Sequence, residues 1–83
     1  MRITLKLFAS LQEHLPADAR NQGTEVVIGE NDTPYQLLDR FHVPRKMAHL
    51  VILNGVYLNP PEREKPVFKE GDVLAVWPPV AGG

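Results

Sequence analysis

The residues best placed to do chemistry in this 83-residue chain form its last stretch, Trp77-Pro78-Pro79-Val80-Ala81-Gly82-Gly83. A terminal α-carboxylate titrates near ~3.5, so at neutral pH it is ionised and able to attack an activated phosphate. It is otherwise unreactive, so activation has to come from another molecule. What the neighbouring residues supply is access. Gly82 and Gly83 carry no side chain and fit a passage too narrow for any other residue. Val80 and Ala81 are small. Pro78 and Pro79 fix φ near about −65° and donate no hydrogen bond, so strand pairing ends there and the chain leaves extended. Fully drawn out at ~3.3 Å per residue, Pro78 to Gly83 reaches about 20 Å. Such an arm suits a carboxylate carried into another protein's active site. A frayed end has similar composition; that alternative predicts that trimming Gly82-Gly83 leaves function intact.

Other chemistry is poorly provided for. The chain has no cysteine, which excludes disulfides, thiolate metal sites and iron–sulfur clusters. His14, His42 and His49 lack a close ligand spacing, so no metal is expected. The carboxylates are scattered, no nucleophile–base pair stands out, and there is no glycine-rich phosphate loop. A carrier rather than a stand-alone catalyst is therefore expected. Arg45-Lys46 can meet an acidic partner or simply be solvated. Trp77, one residue before the prolines, serves either an interface or the core. Glu62 to Lys65 reads as a solvated loop face. A net charge of −1 gives no broad attraction for nucleic acid. No apolar run is long enough for a membrane span and Met1-Arg2-Ile3-Thr4 opens no signal peptide, so a soluble, cytoplasmic protein is expected.

The rest of the chain has to hold that tail. Ile3, Leu5 and Leu7 alternate with Arg2, Thr4 and Lys6, the period of a half-buried strand. Ala9 to Leu15 reads as a short helix, with Ser10 and Glu13 as a capping box, Leu11 and Leu15 on one side and Pro16 closing it. Ala17 to Gly23 is a polar loop, and Thr24 to Ile28 a β-branched strand. Thr33, Pro34 and Gln36 announce the main helix: a cap, a proline at the first position, and a capping box. Pro34, Leu37, Leu38 and Phe41 form its apolar stripe, and Pro44 ends it near His42.

Leu50 to Leu53, Asn54-Gly55 and Val56 to Leu58 predict a hairpin with a type I′ turn. Asn59 to Pro66 is an exposed connection, with Val67-Phe68 anchoring beneath it. Lys69 to Asp72 is a turn, and Val73 to Trp77 the last strand. On that strand Leu74 and Val76 point one way, and Val73, Ala75 and Trp77 the other. The order predicts one α+β domain, a mixed sheet with one main helix packed across one face. Its expected core is Ile3, Leu5, Leu7, Val26, Ile28, Leu37, Leu38, Phe41, Leu53, Leu74 and Val76.

The final fourteen residues, Glu70 to Gly83, resemble the C-terminus of the ubiquitin-like sulfur carriers of the MoaD/ThiS type: the small subunit of molybdopterin synthase and the thiamine-biosynthesis carrier. Lys6-Leu7-Phe8-Ala9, Val51-Ile52-Leu53-Asn54-Gly55 and the Gly71-Asp72 turn are similar to segments of that family. The resemblance implies the β-grasp fold, a domain over residues 1–77 and a diglycine tail over 78–83. It also implies a cycle. An E1-like enzyme adenylates the Gly83 carboxylate with ATP and Mg. Sulfur then replaces AMP to give a thiocarboxylate. The tail, Pro78 to Gly82, threads that group into an acceptor enzyme, and Trp77 contacts the partners.

Pro-Pro-Val-x-Gly-Gly looks most like the molybdopterin synthase small subunit, which would make the large subunit of that synthase the acceptor. The short stretch from His42 to His49 departs from it. Asn54-Gly55 followed by Pro60 is similar to the thiamine carriers, whose acceptor is thiazole synthase. Carriers for tRNA thiolation and a ubiquitin-like modifier joined to lysines through Gly83 use the same tail.

Overall fold

The computed structural model describes residues 1–19 and 23–79. Five strands, β1 (Arg2–Leu7), β2 (Thr24–Val27), β3 (Leu50–Leu53), β4 (Val56–Tyr57) and β5 (Val73–Trp77), form one sheet in the order β2-β1-β5-β3-β4. The first and last strands run parallel at its centre, Leu5 opposite Leu74 and Leu7 opposite Val76; the other pairings are antiparallel. The one α-helix among the described residues, α1 (Pro34–Arg40), puts Leu37 and Leu38 into the core formed by the inner sheet face. This is the β-grasp arrangement, a mixed α+β fold with one main helix across one face of the sheet.

Period two governs the sheet. Ile3, Leu5, Leu7, Leu74 and Val76 are buried, whereas Thr4, Val73, Ala75 and Trp77 on the other face are only half-covered. The expected core holds with two corrections. Phe41 is half-buried because α1 stops at Arg40 and leaves Phe41 as its cap residue, off the stripe. Leu53 is half-buried because it ends β3 beside the exposed hairpin turn. Leu11, Leu15, Val43, Ala48, Val51, Leu58 and Phe68 complete the core from the connections and β3.

Local chemistry explains most boundaries. The Thr33 hydroxyl accepts from the Gln36 N–H and the Gln36 side chain accepts from the Thr33 N–H, the reciprocal cap predicted. Ala9–His14 is a 3-10 helix, not an α-helix. Its cap is Phe8, no side chain caps it, and Ala9 has φ +52°, so the expected Ser10 box does not form. Asn54 and Gly55 both have positive φ, as a type I′ turn demands.

Asn54 does more than turn the chain. Its amide donates to the Asp72 carboxylate at 2.8 Å, its oxygen accepts from the Val73 N–H at 2.8 Å, and Asp72 accepts from the Lys69 N–H at 2.7 Å. The hairpin turn thereby fixes the start of β5, and with it the register in which the strand delivers Trp77 and the prolines.

Helix α1 ends in a Schellman motif. The Val43 N–H donates to the Leu38 carbonyl and the His42 N–H to the Asp39 carbonyl, both at 3.0 Å, with His42 at φ +60°. A left-handed conformation costs an L-residue about 1–2 kcal/mol, and glycine escapes it. Part of that gain is offset by the greater freedom of glycine in the unfolded chain. His42→Gly is expected to raise stability by about 0.5–1 kcal/mol, read as a higher urea midpoint at constant slope. A lowered midpoint would mean that the exposed imidazole makes a stabilising contact.

Candidate functional site

β5 runs to Trp77, whose carbonyl accepts from the His49 N–H at 3.0 Å. Pro78 and Pro79 have no N–H to continue the ladder, and the strand stops where the sequence places its end. Pro78 is buried and Pro79 exposed. Val80, Ala81, Gly82 and Gly83 lie outside the described residues.

Trp77 is half-buried on the outer sheet face. Its indole stacks on Phe8 with ring centroids 4.3 Å apart and planes within 4°, joining the end of β1 to the root of the tail. Beside it His49, Leu50, Ile52, Trp77 and Pro78 line a groove of about 300 Å³. Strand register explains the grouping: Leu50 lies opposite Trp77 and Ile52 opposite Ala75, so these outward side chains share one face. Ile52 also lies opposite Tyr57, 52% exposed on β4, which carries the apolar surface to the sheet edge.

Trp77 and Pro78, singled out in the sequence, both line this groove. Phe8, His49, Leu50 and Ile52 were not singled out as such. Their signal was present in part: Leu50-Val51-Ile52-Leu53 is apolar at every position, so a strand there has to expose apolar side chains on one face. His49 joins through the backbone, its N–H held by Trp77 and its carbonyl by Arg63 Nη2 at 3.4 Å.

The buried Arg63 corrects the reading of Glu62 to Lys65 as a solvated face. Pro60–Glu64 is a 3-10 helix with a reciprocal cap between Asn59 and Glu62. Its turn directs Arg63 inward, where only 3% of the residue is exposed. Nε donates to the Leu58 carbonyl at 2.9 Å, Nη1 to the Ala48 carbonyl at 2.8 Å, and Nη2 also reaches the Tyr57 hydroxyl at 3.2 Å.

Arg45 is engaged by its own chain. Nη2 bonds Asp39 at 2.8 Å, and the guanidinium lies 4.8 Å from the centre of the Tyr35 ring. The hydrogen bond from Arg45 holds the Asp39 carboxyl below its ordinary range. A lowered carboxylate pKa contributes stability above the ordinary value of about 3.9, and that contribution is lost as pH falls through the lowered pKa. Both side chains are about half-exposed, so the effect is small. The midpoint gap between the protein and Asp39→Asn is expected to be small at pH 7 and to close on strong acidification. A gap that widens in acid would contradict the sign.

Among the described residues no group of three or more His, Cys, Asp or Glu is placed to hold a metal ion. His14 lies 3.9 Å from Glu13, His42 follows the cap residue of α1 in the left-handed region, and His49 lines the groove. The ion contacts among the described residues, Glu13–His14 and Asp39–Arg45, do not line the groove. Among the described residues the arrangement offers an apolar surface beside the prolines that follow β5.

Comparison with known protein families matches residues 5–83 to the model of the ThiS family. Comparison with curated proteins found no match. Among solved structures, SAMP1, small archaeal modifier protein 1 of Haloferax volcanii, is 26% identical over 100% of both chains, with a TM-score of 0.66. A second Haloferax volcanii protein, known in solution, is 20% identical over 100% of this chain and 87% of that one, with a TM-score of 0.76. The complex of subunits 1 and 2 of the molybdopterin-converting factor from Helicobacter pylori supplies a chain 18% identical over 100% of both, with a TM-score of 0.59.

Proposed function

The chain belongs to the ThiS family, within the superfamily of ubiquitin-like sulfur carriers to which the archaeal modifiers are related, and from that membership we propose that its reactive group is the Gly83 carboxylate. Its general function is that of a sulfur carrier or ubiquitin-like modifier. Both uses share a first step. An E1-like enzyme brings ATP and Mg, a Gly83 carboxylate oxygen attacks the α-phosphorus, and pyrophosphate leaves. In the carrier a sulfur donor then displaces AMP to leave a thiocarboxylate; in the modifier a lysine amine is the eventual acceptor.

The observation that carries the reading is that β5 ends at Trp77, directly before two prolines without a backbone donor and a run of small residues in the sequence. Within the proposal the chain's own residues position the carboxylate and leave catalysis to the partner. Pro78 and Pro79 limit the freedom lost when the tail docks, while Gly82 and Gly83 keep it thin.

The molybdopterin pathway, which Pro-Pro-Val-x-Gly-Gly favoured, now has the weaker support. The ThiS match and the 26% identity with SAMP1, against 18% with the molybdopterin-converting factor chain, favour a carrier for another sulfur product or a modifier. Incubation with the cognate E1-like enzyme, ATP, Mg and a sulfur donor, followed by intact mass, tests the proposal. A gain equal to sulfur exchanged for oxygen supports the carrier. Conjugates to lysine that vanish when Gly83 is deleted support the modifier. Neither product, and no adenylate, would overturn both.

A further inference from the structure

We infer that Asn54 is a self-modification site. It loses its side-chain amide through attack by the Gly55 nitrogen when the hairpin turn opens, and the hydrogen bonds that tie it to the start of β5 hold the reaction off in the closed fold. Asn54-Gly55 is the one asparagine–glycine pair in the sequence. Glycine has no Cβ, so its nitrogen is open to close a five-membered ring on the asparagine side-chain carbonyl. Asn21 and Asn31 precede Gln22 and Asp32, whose side chains crowd that approach. Asn59 precedes Pro60, whose nitrogen has no proton to give up.

The step balances with water as its only co-reactant. The Gly55 nitrogen gives up its proton and bonds Asn54 Cγ. The Cγ–Nδ2 bond breaks, and ammonia leaves with that proton. Water then opens the succinimide at either carbonyl, to aspartate or to isoaspartate, in which the main chain runs through the side-chain carbon.

Bulk does not shield this turn. Both residues are exposed, and apart from its chain neighbours no atom lies within 4 Å of where a Cβ on Gly55 would sit. Protection comes from tethering. Nδ2 donates to Asp72 Oδ1 at 2.8 Å, Oδ1 accepts from the Val73 N–H at 2.8 Å, and the Asn54 N–H donates to the Val73 carbonyl at 2.9 Å. Both outer atoms on Cγ are thus held toward β5, and Cγ swings onto the Gly55 nitrogen only after two hydrogen bonds break. The Val73 N–H also polarises the Cγ carbonyl, which favours attack, but the nitrogen has to reach that carbon first.

The product undoes its own tether. Aspartate at position 54 has no amide donor and sets a second carboxylate against Asp72, where like charges repel. Isoaspartate also adds a main-chain carbon to a two-residue turn of fixed geometry. Either product loosens the start of β5.

The test incubates the protein in mildly alkaline buffer, folded or in denaturing urea, and follows each asparagine by peptide mapping, with isoaspartate read by a methyltransferase label. In urea Asn54 is expected to convert first. In the folded protein it should convert at least about tenfold more slowly, the factor set by breaking two hydrogen bonds of ordinary net strength. The rate should rise with urea below the unfolding midpoint, as the turn opens locally. Folded Asp72→Ala should recover part of the lost rate, and Asn54→Asp should show a lower urea midpoint than the unchanged protein. Conversion as fast in the fold as in urea, or another asparagine converting first, would overturn the inference. So would folded Asp72→Ala at the unchanged rate, which would place the protection in the turn backbone. If Asp72→Ala does not fold, the urea series decides, and a rate that stays flat below the midpoint overturns the tether. An unchanged midpoint for Asn54→Asp would overturn the loosening of β5.

Discussion

Adding a single residue after Gly83 is expected to abolish activation, by at least about a hundredfold in rate. The extra residue displaces the carboxylate by up to ~3.5 Å. Attack on phosphorus needs the reacting atoms roughly 3–3.5 Å apart and aligned, and a misplacement of about 1 Å already costs on the order of a hundredfold. In the proposed reaction the tail only positions the carboxylate, and Gly83 has no side chain to recover that geometry. Gly82→Ala should impair activation strongly for a related reason: a Cβ widens the tail and narrows its φ/ψ range. Neither change touches the core, which runs from Ile3 to Val76, so unfolding midpoints should not move. The measurement is the rate of adenylate or thiocarboxylate formation by intact mass with the cognate enzyme. An extended variant activated at the normal rate would show that Gly83 is not the reacting end.

The architecture was legible because its determinants are local and periodic. Alternation gave β1 and β5 with their inward faces, Asn54-Gly55 gave the hairpin, and Thr33-Pro34 gave the start of α1. What escaped depends on distance in sequence. Ser10 with Glu13 has the spacing of a capping box. The chain instead enters a 3-10 helix through Phe8 and Ala9, because Phe8 is held in the sheet by its N–H to Val76 and by its stack on Trp77. The groove was half-legible. Trp77 and Pro78 are adjacent in sequence, but that Leu50 and Ile52 join them follows from β3 pairing with β5 rather than from any local signal.

Arg63 was the least legible residue, and its removal is expected to have the largest effect on stability. Set in a run of prolines and charges it reads as solvated, yet it satisfies three backbone carbonyls and a tyrosine hydroxyl while almost wholly buried. Among the described residues no carboxylate pairs with it. The guanidinium is held by its planar fork, with the Tyr57 ring centre 5.6 Å away adding a cation–π attraction. Arg63→Ala leaves a cavity and strips donors from Leu58, Ala48 and His49, at an expected cost of about 3–5 kcal/mol. For a domain of this size the whole stability is roughly 5–15 kcal/mol. Arg63→Lys should recover only part, since one ammonium cannot reach acceptors spread around a fork. Arg63→Met restores volume without donors, so it separates packing from hydrogen bonding. Urea midpoints for the three variants give the order, and Met at full stability would show that the carbonyls do not need their donors.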